Sequence, residues 1–384
     1  MVKRRQLIKH AMMSLAATSF TGRAASLLAS DWFSYLKNYQ FDSQLKATIP
    51  AGATLRVVAE SGKKPVEGSN YRWHGAPDGG CCFATVDGGW VYVSNSELAD
   101  NKGGVGALRF DKQGQIIDSY SILSGTTRNC AGGRSLWGTW LSCEENGEQG
   151  LVYECDPLGK RAAQVRPAMG ACNHEAVAMD PHTGRAYLTE DKPDGGLYRF
   201  TPLQPGDLSQ GVLEVAISEN KHLIWKIVPD STASRQPMRY QLDNILPFKG
   251  GEGIVYHNGY VYFTTKHDNK VWSLKLINDQ LEIIYDAALS TSPILSGVDN
   301  IEVTQSGELL VAEDGGDMQI VALTKNNSPL PLITLHDQHQ SEITGPAFSP
   351  DGSRLYFSSQ RGYSGHSEAG ISYELTLPWG ITLR

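Results

Sequence analysis

The residues with the clearest chemical potential lie between Asn129 and Glu145, in the stretch N-C-A-G-G-R-S-L-W-G-T-W-L-S-C-E-E. This stretch combines Cys130, followed closely by two glycines, with the adjacent carboxylates of Glu144 and Glu145. Neighbouring side chains of a strand point to opposite faces, so we expect only one member of such a pair to reach any given site. A soft sulfur ligand near hard oxygen ligands indicates a metal centre of mixed character.

A related stretch occurs six times along the chain. The repeating unit is a loop with a ligand-type residue, an apolar strand, a tight turn, and a second strand that ends in polar or acidic residues. The second strands are GWVYVSNSE (89–97), GTWLSCEEN (138–146), GRAYLTEDK (184–192), GYVYFTTKH (259–267), GELLVAEDG (307–315) and SRLYFSSQR (353–361). Because an all-strand repeat of roughly 45 to 50 residues is typical of a propeller blade, the sequence predicts an all-β fold, a six-bladed β-propeller.

Residues 31–384 are predicted to form this single propeller domain. The wider spacing between the third and fourth repeats indicates an insertion at about 203–248, with a long loop and one or two extra strands. We expect the last blade to be completed by 371–377 together with an N-terminal strand at 54–59, because pairing the two ends removes free sheet edges. Residues 31–39 are either a short helix or a tether.

A hairpin brings the start of its first strand and the end of its second to the same edge, so six blades gather both sets at one mouth of the central channel. The first strands offer Asp78, Cys130, His174 with Glu175, Glu252, Asp299 with Asn300, and Glu342. The second strands offer Asn95 and Glu97, Glu144 and Glu145, Glu190 and Asp191, Lys266 and His267, Glu313 and Asp314, and Gln360 and Arg361. Since each desolvated charge costs several kcal/mol, so many acids at one mouth predict bound cations.

The donor types leave more than one interpretation open. Carboxylate and amide oxygens suit calcium, whereas a thiolate with carboxylates suits iron or another transition metal. Cys130 is either a ligand or a buried apolar thiol. His174 either binds a metal or orients a neighbouring carboxylate. Lys266 and Arg361 either bind an anion beside the metals or balance the acids.

The N-terminus carries an export signal by composition. Residues 1–30 contain five basic residues and no acid, with the string K-R-R-Q-L-I-K ahead of a moderately apolar run at 11–20. This pattern predicts a twin-arginine signal, with the twin-arginine export machinery as a partner and a periplasmic or secreted location. The apolar run falls well short of the ~20 residues that a spanning helix needs.

The net charge and the cysteine content limit the partners and the types of site that the chain can have. Loss of residues 1–30 changes the formal net charge from −7 to −12. An acidic protein is a poor partner for nucleic acid, whose phosphates need a basic face. The six cysteines match no zinc pattern, and their disulfide state stays open. We expect a monomer.

Four linked motifs carry a family likeness. They are R-N-C-A-G-G (128–133), W-G-T-W-L-S-C-E-E (137–145), H-E-A-V-A-M-D-P-H-T-G-R-A-Y-L-T-E-D (174–191) and S-E-I-T-G-P-A-F-S-P-D-G (341–352). Together they resemble the PhoX family of secreted alkaline phosphatases. The resemblance implies a six-bladed propeller, twin-arginine export to the periplasm, and a centre of ferric iron and calcium that hydrolyses small phosphate monoesters.

The same resemblance implies roles for individual residues. Cys130 would bind iron, and Glu175 and Glu252 would help to hold an iron pair. The further ligands for iron or calcium that the resemblance implies are Glu144, Glu145, Glu190, Asp191, Asp299, Glu313 and Asp314. Position at the mouth adds Asn300 and Glu342 as candidate metal ligands. The candidate catalytic residues are Lys249, Lys266 and Arg361, whose positive charges at the mouth could contact the anionic substrate.

One departure from the family pattern concerns the fourth repeat. The family has an arginine two residues before the glutamate, where this chain has Gly250 in F-K-G-G-E-G. Lys249 supplies a point charge nearby but not a planar bidentate contact. The missing arginine is compatible with a metal-stabilised binding propeller without catalysis. A calcium-dependent lactonase of the same architecture is a further alternative, although it would have no use for Cys130.

Overall fold

Twenty-seven β-strands make up most of the regular structure in residues 36, 38–219, 222–291, 293–324 and 328–377, the part of the chain that the computed structural model describes. In chain order they are β1 (Tyr39–Asp42), β2 (Ala47–Pro50), β3 (Thr54–Glu60), β4 (Pro77–Ala84), β5 (Trp90–Ser96), β6 (Gly103–Phe110), β7 (Ile116–Thr126), β8 (Asn129–Arg134), β9 (Trp140–Glu144), β10 (Val152–Cys155), β11 (Gln164–Val165), β12 (His174–Met179), β13 (Ala186–Glu190), β14 (Leu197–Gln204), β15 (Asp207–Glu219), β16 (His222–Ile227), β17 (Gly251–His257), β18 (Tyr260–Thr265), β19 (Lys270–Lys275), β20 (Gln280–Asp286), β21 (Val298–Val303), β22 (Leu309–Glu313), β23 (Gln319–Leu323), β24 (Pro329–Leu335), β25 (Ile343–Phe348), β26 (Arg354–Ser359) and β27 (Ile371–Thr376).

Helical structure in the described residues is limited to single 3₁₀ turns. These turns are Gly147–Gln149, Pro167–Met169, Met238–Tyr240, Lys266–Asp268, Gly362–Ser364 and Ser367–Ala369. Within the described ranges, no helix has the length and apolar character needed to cross a bilayer. The predicted export signal at 1–30, and most of 31–39, lie outside these ranges.

The strands form six antiparallel sheets, one for each blade. In spatial order they are β4-β5-β6-β7, β11-β10-β9-β8, β12-β13-β14-β15-β16, β17-β18-β19-β20, β1-β2-β24-β23-β22-β21 and β25-β26-β27-β3. The first strand of each hairpin is innermost: β4, β8, β12, β17, β21 and β25 contact one another in a closed ring. The predicted all-β, six-bladed β-propeller is confirmed.

Apolar side chains fill the spaces between adjacent blades. Tyr92 and Phe110 of the first blade pack against Tyr356 of the sixth, with the Tyr92 and Tyr356 ring centroids 4.9 Å apart. Leu141 of the second blade lies in one cluster with Val177 of the third. Because the strands of a blade present alternate side chains to its two faces, each sheet is covered on both sides by its neighbours.

The ring closes between the two ends of the described chain. Strand β27 pairs with β3 from Ile371 opposite Glu60 to Thr376 opposite Thr54, which confirms the pairing expected from the sequence. An N-terminal hairpin, β1 and β2, also extends the fifth blade through β24. In the third blade, β16 adds a fifth strand, and an irregular segment at 228–248 returns the chain to the channel mouth.

Candidate metal centre

In each blade the innermost strand loses register with its partner directly after its first paired residues. In the first blade, Pro77 lies opposite Ser96, and the next pair is Gly80 with Ser94. Such bulges re-aim side chains. The residue that follows the first paired position in each blade defines the strand-start ring, which consists of Asp78, Cys130, Glu175, Glu252, Asp299 and Thr344.

A second ring comes from the ends of the neighbouring strands. In all six blades the backbone N–H of one residue donates to the carbonyl just before the innermost strand, at 2.7 to 3.1 Å. These residues define the strand-end ring, which consists of Glu97, Glu145, Asp191, Lys266, Asp314 and Gln360. The two rings explain why acids far apart in sequence meet: a backbone pattern repeated six times presents them at one mouth.

Three sets of donor atoms in these rings lie close enough to share a cation, with all ligand atoms of a set within 4.8 Å of one another. The cysteine group contains Asp78, Glu97 and Cys130, the glutamate group contains Glu175, Glu252 and Asp299, and the rim group contains Asp299, Asp314 and Glu342. The first group has the mixed sulfur and oxygen donors that suit iron, whereas the other two offer oxygen alone.

Glu175 gives the strongest evidence that the glutamate group fits a metal ion. Its side chain is 1% exposed, and neither carboxylate oxygen has a hydrogen-bond partner among the described residues. A carboxylate in that position must bind a proton or a cation, since a buried, unpaired charge costs several kcal/mol. Burial and the nearby carboxylates of Glu252 and Asp299 raise its pKa well above the usual value.

The cysteine group has a neutral neighbour instead of a basic one. Gln360 donates through Nε2 to Asp78 Oδ2 at 2.6 Å and to Glu97 Oε2 at 2.7 Å. The pKa of the Cys130 thiol is raised by burial and by the surrounding carboxylates, Asp78 first among them. A bound metal ion would reverse this effect, because a coordinated thiol is deprotonated.

Among the described residues, Lys266 and Arg361 are the basic side chains that pair with acids of the three donor groups. Lys266 Nζ lies 2.9 Å from Glu252 Oε1, 3.3 Å from Asp314 Oδ2 and 4.0 Å from Asp299 Oδ2. Arg361 Nη2 donates to Glu342 Oε1 at 2.6 Å. Both are predicted catalytic residues, and the structure brings both to the acids of the donor groups.

Lys249, the third such candidate, is exposed and lies next to Gly250. A Cβ atom at Gly250 would lie 3.2 Å from Asp191 Oδ1, so this position borders the strand-end ring without adding a side chain to it. Its φ of 69° is in the left-handed region, which favours glycine.

Half of the twelve predicted ligands belong to the three donor groups: Cys130, Glu175, Glu252, Asp299, Asp314 and Glu342. Two more, Glu145 and Asp191, lie in the strand-end ring outside those groups. Burial together with the charges of Glu97 and Asp191 raises the pKa of Glu145 to about 8.

The other four predicted ligands are held in hydrogen bonds to other residues of the protein. Glu144 accepts from the backbone N–H groups of Thr127 at 2.8 Å and Leu151 at 3.3 Å. Two further glutamates and one asparagine are also satisfied by protein partners. Glu190 accepts from Gly196, Tyr198 and Arg239, and Glu313 accepts from Ser296 and Gln319. Asn300 donates to Asp299 and accepts from Gly345. The strand alternation therefore separates each carboxylate pair, and the second member joins the ring.

Two residues of the cysteine group were not among the predicted ligands. Asp78 and Glu97 were placed at the mouth by the repeat, but no motif of the family resemblance contains them. The signal that identifies them is position, because they occupy the same places in the first blade as Cys130 and Glu145 occupy in the second. His174, in contrast, is fully buried with Nε2 2.9 Å from the Gly170 carbonyl, and burial lowers its pKa to about 4.

A family model described as alkaline phosphatase PhoX matches residues 56–151, 147–265 and 249–362. The chain belongs to the PhoX family. The matched ranges contain all three donor groups, so the centre is built from the part of the chain that defines the family. The resemblance seen in the four sequence motifs is confirmed, and the family match supports an alkaline phosphatase.

Solved structures place this PhoX fold among related propellers. Pseudomonas fluorescens PhoX in complex with vanadate, a transition state analogue, superimposes with a TM-score of 0.71 at 14% identity, over 88% of this chain and 97% of that chain. A gluconolactonase from Xanthomonas campestris gives 0.52 at 13% identity, over 85% and 90%. At such identities the likeness shows the fold alone. Among curated proteins, none matches the sequence.

Proposed function

We propose that this PhoX protein is an exported, metal-dependent alkaline phosphomonoesterase with a centre of iron and calcium at the channel mouth. The observation that carries the proposal is the buried carboxylate of Glu175, which has no protein partner and lies within 4.8 Å of donor atoms of Glu252 and Asp299. The family match supports phosphate monoesters as the substrate class.

The donor chemistry supports a division of the metals. Cys130 with Asp78 and Glu97 would hold iron, and the glutamate group would hold a second hard ion, either ferric iron or calcium. When bound, these ions would supply Lewis-acid stabilisation of the charge that develops on the phosphoryl oxygens.

The basic residues at the mouth have separate roles in this proposal. Arg361 uses one N–H group for Glu342 and has a side chain that is one third exposed, which leaves further donors for a phosphate group. Lys266 is paired with three carboxylates and balances their charge. Lys249 is an exposed point charge beside Gly250, suited to attracting an anionic substrate toward the mouth.

The first test combines elemental analysis of the exported protein with hydrolysis of a generic aryl phosphate by the same sample. Wild type is compared with Cys130→Ala and with Cys155→Ala, a matched control that removes another buried thiol outside the donor groups. We expect iron and calcium in the wild type, joint loss of iron and turnover in Cys130→Ala, and retention of both in Cys155→Ala.

Other results point to other functions. Calcium without iron, together with lactone hydrolysis and no phosphatase turnover, would support the lactonase. Calcium without any turnover would leave a binding propeller. Export by the twin-arginine route is tested by Arg4→Lys with Arg5→Lys, which we expect to retain the protein in the cytoplasm; normal export of this variant would contradict that part of the proposal.

A further inference from the structure

The rim group differs from the other two donor groups because protein cations already contact all its carboxylates. Lys266 Nζ lies 3.3 Å from Asp314 Oδ2 and 4.0 Å from Asp299 Oδ2, and Arg361 Nη2 lies 2.6 Å from Glu342 Oε1. In the cysteine group, the contacting side chain is the neutral amide of Gln360. In the glutamate group, Lys266 contacts Glu252 and Asp299, but both carboxylate oxygens of Glu175 have no partner among the described residues.

Lys266 occupies a backbone position that other blades use for acids. Its N–H donates to the Gly250 carbonyl at 2.8 Å, the same bond that positions Glu97, Glu145, Asp191 and Asp314 in their blades. The fourth blade therefore has a cation at the position where the first, second, third and fifth blades each have a carboxylate. An ammonium group about 3 Å from carboxylate oxygens competes with a metal ion for those oxygens and for the same electrostatic stabilisation.

We propose that Lys266, together with Arg361, takes the place of a metal ion at the rim group. The centre then holds metal ions at the cysteine and glutamate groups and a tethered ammonium at the third. Lys266 also contacts Glu252 at 2.9 Å, so it links the rim group to the glutamate group and fixes their carboxylates relative to each other. This inference rests on the proposed function, since it requires metal ions at the other two groups.

The test is the number of calcium ions bound per folded chain, measured by elemental analysis and by calorimetric calcium titration. Lys266→Met removes the charge and keeps an unbranched side chain. Lys270→Met is the matched control, because Lys270 Nζ also lies between two carboxylates, 3.2 Å from Asp268 and 3.6 Å from Asp286, with nearly the same exposure. We expect one additional calcium ion per chain in Lys266→Met and none in Lys270→Met.

An unchanged calcium count in a Lys266→Met protein with wild-type circular dichroism would overturn the inference. If that variant does not fold, wild-type crystals soaked in terbium decide: anomalous density between Asp299, Asp314 and Glu342 would overturn the inference, and density confined to the other two groups would support it. Wild type without metal at the cysteine and glutamate groups would instead contradict the proposed function.

Discussion

Glu175 and Glu144 are both buried glutamates at the channel mouth, but they differ in their partners. Glu175 has no hydrogen-bond partner among the described residues, whereas Glu144 accepts from two backbone N–H groups. The first is suited to bind a cation, and the second stabilises its own blade. Both residues are buried glutamates, so the same substitution at the two positions separates an effect on metal binding from an effect on folding.

We predict that Glu175→Gln mainly affects metal binding and that Glu144→Gln mainly affects stability. Glu175→Gln should lower metal content and reduce turnover roughly 100-fold or more, because it removes a charged ligand. Glu144→Gln should leave metal content unchanged and lower the free energy of unfolding by about 1–2 kcal/mol, because an amide oxygen replaces only part of the carboxylate as acceptor. Elemental analysis and urea unfolding of both proteins measure the difference.

The two variants act as controls for each other. Loss of metal in Glu144→Gln, or normal metal content in Glu175→Gln, would contradict the division between ligand and structural glutamates.

The alternation rule of a strand predicts that only one member of each adjacent carboxylate pair reaches the centre, and it holds for Glu144 and Glu145. The rule alone does not select the member, because the choice depends on which residue follows the last paired position of the strand. Asp78 and Glu97 show the same limit, since their role depends on equivalence between blades rather than on a motif. Tertiary register, not local sequence, assigns these side chains.

At the scale of elements, the innermost strands approach one another so closely that some positions accept only glycine. A Cβ atom at Gly133 would overlap the Val177 carbonyl oxygen of the next blade. We predict that Gly133→Ala lowers the free energy of unfolding by roughly 3 kcal/mol, because blades 2 and 3 must move apart. Thermal and urea unfolding measure this cost.

Gly138→Ala is the control for backbone strain. Gly138 has a φ of 83° and no atom within 4 Å of an added Cβ, so its substitution costs only the left-handed conformation, about 1 kcal/mol. Equal losses of stability for the two variants would show that the innermost strands leave room for a methyl group at Gly133.

The closure of the sixth blade depends on Glu374 in β27. This residue is buried and accepts from Arg56 of β3 at 2.8 and 2.9 Å and from Tyr356 at 2.7 Å. We predict that Glu374→Gln lowers the free energy of unfolding by about 1–3 kcal/mol, because the buried hydroxyl and the guanidinium lose a charged acceptor. Glu282→Gln, at an exposed strand position, should change it by less than ~0.5 kcal/mol.

If Glu374→Gln and Glu282→Gln lower the free energy of unfolding in urea by the same amount, the contact between β3 and β27 does not stabilise the ring.

The order of the strands explains why the sequence predicts most of this fold. Each hairpin carries its own alternation and turn residues, and the pairing of β3 with β27 follows from the need to close the ring. The added hairpin β1 and β2 has no such signal, since β2 joins β24 through two residue pairs separated by nearly 290 positions. Local sequence patterns predict hairpins. The pairing of β2 with the distant strand β24 depends instead on which blade of the folded ring leaves an edge strand exposed.

At the scale of the whole molecule, the channel mouth concentrates negative charge that the folded chain cannot neutralise alone. The two rings and Glu342 contribute nine carboxyl groups among the described residues. Four of the nine form ion pairs with Lys266 or Arg361: Glu252, Asp299, Asp314 and Glu342. Burial, with the charges of neighbouring acids, raises the pKa of Glu145 to about 8, and burial is the main cause that raises the pKa of Asp299 to about 7.

These pKa shifts predict how the stability of the metal-free protein changes with pH. Between about pH 4.5 and pH 8 the folded chain holds protons on these carboxyl groups that the unfolded chain has already lost. Stability therefore falls as pH rises through the folded pKa values, by several kcal/mol in total. We predict a steady decrease in the urea midpoint of protein stripped of metal by reduction and chelation, measured from pH 5 to pH 8.

The metal-loaded protein is the control, because bound cations keep the same carboxylates ionised in the folded state and remove the difference in proton binding between folded and unfolded chains. Its midpoint should stay nearly constant over this range and exceed that of the stripped protein most at pH 8. A stripped protein whose midpoint is constant or rises with pH would mean that the acids of the mouth are already neutralised within the chain, and the electrostatic reason for a metal centre at this mouth would be lost.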